Sequence, residues 1–112
     1  MPMPVINQNN ELVTIEVSEI FSIYKDMKSR KIVITAECGE YYIPSTINQI
    51  ILIMESSGFA QIDKNRIINL NQVKRFENGE VTIDGSEYWV AKRRRAKLKR
   101  LIEKRSRDTN GQ

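Results

Sequence analysis

Histidine is absent from the sequence, and cysteine occurs once, at Cys38. The first absence removes the commonest general base, the commonest metal ligand and every His-dependent nucleophile triad. The second excludes an internal disulfide, so the chain is no stapled miniature, and Cys38 reads as a small hydrophobe in a reducing compartment. The longest apolar run, Ile50 to Met54, falls far short of the ~18 to 20 residues that span a bilayer. The N-terminus has no basic and apolar leader, which points to a cytoplasmic protein without a membrane partner. The five glycines are dispersed at turns, so there is no glycine-rich phosphate loop. Glu16 with Glu19, and Glu77 with Glu80, have neither a third ligand nor an acid/base partner and read as solvated strand ends. No enzyme activity, cofactor, metal site or small-molecule substrate is expected.

What is present is enough for one core. The chain has 112 residues, 40% of them hydrophobic and 29% charged, the composition of a single globular domain. Residues 1–11 contain two prolines near the start and four consecutive amides, favouring an extended or flexible arm. Residues 12–105 form the expected domain, and residues 106–112, without periodicity, a flexible tail. Charge is unevenly placed. From Lys92 to Arg107 there are ten basic residues and one acid, a local charge of +9, against −5 for the rest. A mildly acidic body ending in a concentrated basic segment suits a polyanionic partner. Nucleic acid fits better than an anionic membrane, because the segment lacks a broad apolar face.

Turn punctuation predicts a mainly β fold. Three hairpins are expected, around Cys38-Gly39, Asn78-Gly79 and Asp84-Gly85, because both central residues of a type I′ turn need positive φ. The last two join three short strands into a meander. Leu12 to Val17 and Glu19 to Tyr24 read as further strands. Between Ile43 and Gly58 the period changes. Thr46 followed by Gln49 is a capping box, Ile47, Ile50, Ile51 and Met54 recur at helical spacing, and Gly58 suits a helix C′ position. A second helix is expected from about Ala91 to Arg105. Leu98, Leu101 and Ile102 form its apolar stripe, and Arg93, Lys97, Arg100 and Lys104 form a cationic row. One residue each of Tyr41/Tyr42 and Tyr88/Trp89 should face the core.

This order of elements resembles the LytTR DNA-binding domain found at the C-terminus of many bacterial response regulators. The resemblance covers roughly residues 13–102. Its most specific part is the run Gly58 to Val73, which looks like the family's Phe, then His-Arg-Ser, then two apolar residues and Asn-Leu. Asn69-Leu70 retains the end of that pattern, while Asp63-Lys64-Asn65 stands where the family often has His-Arg-Ser. The opening strand Ile20 to Tyr24, the Cys38-Gly39 hairpin, the capped helix and the final strand into Ala91-Lys92-Arg93 are also similar. Ala91 replaces a common Ser.

The resemblance implies antiparallel sheets, with one mid-chain helix and a basic C-terminal helix. These would present loops, rather than a recognition helix, to successive major grooves of double-stranded DNA and the minor groove between. By position, Arg30 falls on the first loop, Lys64 and Asn65 on the second and Arg93 on the third. An Arg fork can make two hydrogen bonds to guanine O6 and N7. Lys28, Lys31, Arg94 and Lys97 would neutralise phosphate, and Arg66 and Lys92 complete the expected DNA-contacting set. Asn69 would bond backbone near its turn. Repeat-containing promoter sites would suit two copies side by side. The chain opens on its own Met, without the ~120-residue receiver that usually precedes such domains, so a free-standing transcriptional regulator is the expectation. Two other classes compete: a protein-interaction module that sequesters a related regulator, and a small RNA-binding protein or ribonuclease.

Overall fold

The computed structural model describes the backbone of residues 1–110 and the side chains through Arg105. Ten strands and two α-helices occur in the order β1 (Pro2–Ile6), β2 (Leu12–Glu16), β3 (Ile20–Lys25), β4 (Ile32–Ala36), β5 (Gly39–Ile43), α1 (Ile47–Glu55), β6 (Phe59–Asp63), β7 (Arg66–Asn69), β8 (Arg75–Glu77), β9 (Glu80–Ile83), β10 (Ser86–Trp89) and α2 (Arg95–Asn110). Single turns of 3-10 helix lie at Val17–Glu19, Leu70–Gln72 and Lys92–Arg94. Seven strands form one antiparallel sheet in the order β2-β1-β5-β4-β3-β7-β6, and β10-β9-β8 form a second.

The local reasons are the anticipated ones. Asn78-Gly79 and Asp84-Gly85 each take positive φ, at 53° and 78° and at 49° and 78°. Both are therefore two-residue type I′ turns whose twist matches the flanking strands. Thr46 Oγ1 accepts from the Gln49 amide at 3.2 Å while Gln49 Oε1 accepts from the Thr46 amide at 3.2 Å, closing the capping box of α1. Gly58 has φ +87°, the left-handed conformation that ends the helix.

Three details depart from the sequence reading. Within the expected arm of residues 1–11, Pro2–Ile6 is a strand that pairs along its length with β2. Backbone hydrogen bonds Val17 to Met1 and Asn7 to Glu11 fix the odd-numbered residues of β1 as its bonded positions. Pro2 and Pro4 thus fall where no N–H is owed to β2. They deny donors on the other side, and there pairing with β5 is confined to Ile6 and Tyr42. In the β4–β5 hairpin, Ala36 pairs with Gly39, so Glu37-Cys38 rather than Cys38-Gly39 form the turn. The C-terminal helix begins at Arg95 after the 3-10 turn and continues to Asn110 instead of ending near Arg105. Residues 111–112 of the expected tail lie outside the described residues.

Two apolar clusters sandwich the shared strands β3, β7 and β6. Ile23, Ile67 and Phe59 pack with Ile34, Ile50, Met54, Val5 and Ile15. Phe21, Ile68, Ala60 and Ile62 pack with Val81, Ile83, Val90 and Leu98. Alternation sends neighbours such as Ile67 and Ile68 to opposite faces, which is why these strands read as nearly continuous apolar runs. Asn69, 1% exposed, ties the sheet to the preceding turn. Its Nδ2 donates to the Ile20 carbonyl at 2.9 Å and to the Val17 carbonyl at 3.5 Å, and its Oδ1 accepts from the Asn71 amide at 3.1 Å.

Candidate nucleic-acid interface

Strand register decides which loops share an end of the sheet. Lys25 pairs with Ile32 across the β3–β4 hairpin, and Tyr24 pairs with Arg66 across β3 and β7. The hairpin tips at residues 26–31 and 64–65 therefore project from the same end, about two strand spacings or 10 Å apart. Two contacts join them directly: the Lys25 amide donates to the Asn65 carbonyl at 2.9 Å, and Asn65 Nδ2 donates to Met27 Sδ at 3.3 Å. The third segment reaches this end through β6, where the Ala91 amide donates to the Ile62 carbonyl at 2.8 Å. The loops carrying Arg30, Lys64 with Asn65, and Arg93 thus stand in a row.

Each loop is shaped by its own polar groups. In the first, Asp26 accepts from Ser29 Oγ at 2.8 Å and from the amides of Lys28 and Ser29, both at 3.4 Å. The Arg30 amide donates to the Asp26 carbonyl at 2.7 Å, with Arg30 at φ +63°. That is a left-handed conformation a long side chain adopts only when its surroundings impose it. The Ser29 hydroxyl, then the two amides and Lys28, hold the Asp26 carboxyl below its ordinary 3.8 against a partial desolvation penalty. In the second loop, Asp63 Oδ1 accepts from the Lys64 amide at 2.6 Å, so this carboxylate braces the tip.

Lys28, Arg30, Lys31, Lys64, Lys92, Arg93 and Lys97 are exposed, and Asn65 is half-buried at the junction of the first two loops. Arg66 is held differently. Its guanidinium packs on the rings of Tyr24 and Tyr88, 4.3 and 4.8 Å from their centroids, and donates to buried Ser22 Oγ at 3.1 Å. Burial, with Glu40 adding, pushes the Tyr24 phenol above 10.0. Arg94 is also half-buried, its Nε enclosed without a hydrogen-bond partner among the described residues.

Two roles were not visible in the sequence. Arg95 donates from Nε to the Val90 carbonyl at 2.9 Å and lies 5.3 Å from the Trp89 ring. It also lies against Gly79 so closely that a Cβ there would fall 2.5 Å from its Cζ. It locks α2 to the β8–β9 turn. Arg105 sits over Gly58, 3.2 Å from where a Cβ would be, placing a cation at the C-terminus of α1. Both belonged to a run of similar basic residues, and only contacts distant in sequence separate them from the solvated ones.

The family model for the LytTr DNA-binding domain matches residues 10–103. The chain belongs to the LytTR family. Like this protein, a solved structure described as the LytTr DNA-binding domain of a methyl-accepting/DNA response regulator from Bacillus cereus has the fold described above. The TM-score is 0.76 at 12% identity, over 90% of this chain and 95% of that one. No curated protein matches the sequence. As a LytTR domain the protein is a DNA-binding, β-rich module of a transcription-regulating family. No helix among the described residues is long and apolar enough to cross a membrane.

The Asp26 latch makes a prediction. Asp26→Ala removes a negative charge, which by itself strengthens binding to any duplex, yet it frees the turn that orients Arg30. Titration of specific and random duplexes at two salt concentrations should show discrimination falling while random-duplex affinity holds or rises. A parallel rise on both duplexes would mean that Arg30 needs no latch.

Proposed function

We propose that this LytTR protein is a sequence-specific regulator of transcription that reads double-stranded DNA with the three loops at one end of its larger sheet. The observation that carries this reading is their convergence, with three strand-anchored tips bearing exposed cations in one row. Arg30 and Arg93 each read a guanine in separate major grooves through bidentate hydrogen bonds, and Lys64 and Asn65 face the minor groove between them. Lys28, Lys31, Lys92 and Lys97 neutralise phosphates, supplying affinity without sequence information. Arg94 steers the turn that presents Arg93, and Arg66 serves the site by stiffening the second loop between its aromatic partners. Nothing in this reading requires catalysis. Promoter sites with repeats would seat two copies side by side.

Arg93→Ala and Lys97→Ala separate the two kinds of contact. The first should lose about 1–3 kcal/mol of discrimination, whereas the second should weaken all duplexes about equally and reduce the salt slope by roughly one. Equal behaviour of the two variants on a selected site and on random DNA would remove the proposed division of labour.

A further inference from the structure

The turn between β1 and β2 offers a contact surface beyond the three loops. It runs from Asn7 to Glu11 and is tightly built. Asn7 Oδ1 accepts from the amides of Asn9 and Glu11, both at 2.9 Å, and Asn7 Nδ2 donates to Glu11 Oε1 at 3.2 Å. The Asn10 amide donates to the Asn7 carbonyl at 3.0 Å, and Asn10 adopts φ +64°. One amide side chain, Asn7, thus holds the turn together and occupies its only carboxylate. The next three, Gln8, Asn9 and Asn10, are exposed, and their side chains make no hydrogen bond among the described residues.

The position of this tip gives those free amides a neighbour. Ile6 pairs with Tyr42, and Asn10 lines a groove of about 290 Å³ together with Arg30, Lys31, Tyr42 and Pro44. Lys31 Nζ stands 5.0 Å from the Tyr42 ring centroid, so the groove wall is cationic and aromatic. Asn and Gln side chains match adenine, donating to N7 and accepting from N6, as Arg matches guanine. An ordered turn costs little conformational entropy when it binds. Gln8 and Asn9 precede the segment matched by the family model.

We infer that the β1–β2 tip is a fourth reading element, with Gln8, Asn9 and Asn10 contacting an A·T base pair that flanks the guanine read by Arg30. This inference rests on the loop-reading function proposed above. It lengthens the recognised site on the Arg30 side.

The experiment is selection of bound duplexes from a random pool, by the wild-type chain and by a triple variant, Gln8→Ala, Asn9→Ala and Asn10→Gly. Glycine is chosen at the last position because its φ is positive. None of the three side chains makes a hydrogen bond among the described residues, so the thermal midpoint should be unchanged. The wild type should enrich an adenine outside the Arg30 guanine, favoured by about 5- to 150-fold. The variant should lose that preference while keeping the guanine. An unchanged motif in the variant would overturn the inference, and so would uniform weakening on every sequence, which would reduce the tip to a phosphate contact. A wild-type chain that enriches no motif would instead overturn the loop-reading function itself.

Discussion

Asn69→Ala should lower the unfolding free energy by about 2–3 kcal/mol, a large fraction of the stability of a domain this size. Asn69 is 1% exposed and its amide satisfies three backbone groups. Truncation leaves the Ile20 carbonyl without its side-chain donor at the start of β3, and frees the Asn71 amide in the following turn. The Ile20 carbonyl belongs to a fully buried residue and the bond to the Asn71 amide is part-buried, and an unmade buried hydrogen bond carries the full desolvation cost. Urea denaturation would show the midpoint falling by roughly 1–2 M, at the slopes usual for small domains. Asn69→Asp sharpens the test. It keeps the acceptor for Asn71 but loses the donor to Ile20 and buries a charge, so it should be at least as damaging as alanine. A milder Asp variant would mean that capping the turn, and not bridging to Ile20, is the side chain's contribution.

Leu98→Ala should cost about 2–5 kcal/mol, near the upper end because the site cannot collapse. Leu98 is 1% exposed and belongs to the cluster formed by Ile62, Ile68, Val81, Ile83 and Val90. It also borders an existing hollow of about 230 Å³ between α1, β6 and α2, lined by Phe59, Ala60 and Leu101. Removing three carbons would enlarge that hollow rather than draw the walls together. The effect should reach DNA, since α2 begins one residue after the turn that carries Arg93. Amide hydrogen exchange should show α2 losing protection ahead of the central strands, with duplex affinity falling by more than the unfolded fraction explains. Full affinity per folded molecule would show that Ala91's bond to Ile62 positions Arg93 without help from the helix.

Much of this was legible where one residue type meets one backbone requirement. Asn78-Gly79 and Asp84-Gly85 need positive φ and take it, and Thr46 and Gln49 close the box they spell. Asn69 was legible through the family pattern, and its contacts supplied the reason. The N-terminal strand was hidden because the prolines that argue against a strand fall at non-bonded positions, a matter of register that exists only once a partner strand is fixed. Among the cations, charge density pointed to the basic C-terminal segment but could not rank its members. Arg66 in its aromatic setting, Arg95 against Gly79 and Arg105 over Gly58 differ from Lys97 or Arg93 only through packing with residues far along the chain.

The common anchoring of the first two tips in β3 and β7 has an evolutionary corollary. Side chains at hairpin tips can be exchanged without disturbing either core, so under the proposed loop reading base preferences in this lineage are free to drift one contact at a time. The interval between contacts is another matter. It is a ruler graduated in interstrand distances, and resetting it would mean inserting or deleting a whole strand through two buried layers. Operators of diverged members should therefore differ in letters far more readily than in spacing.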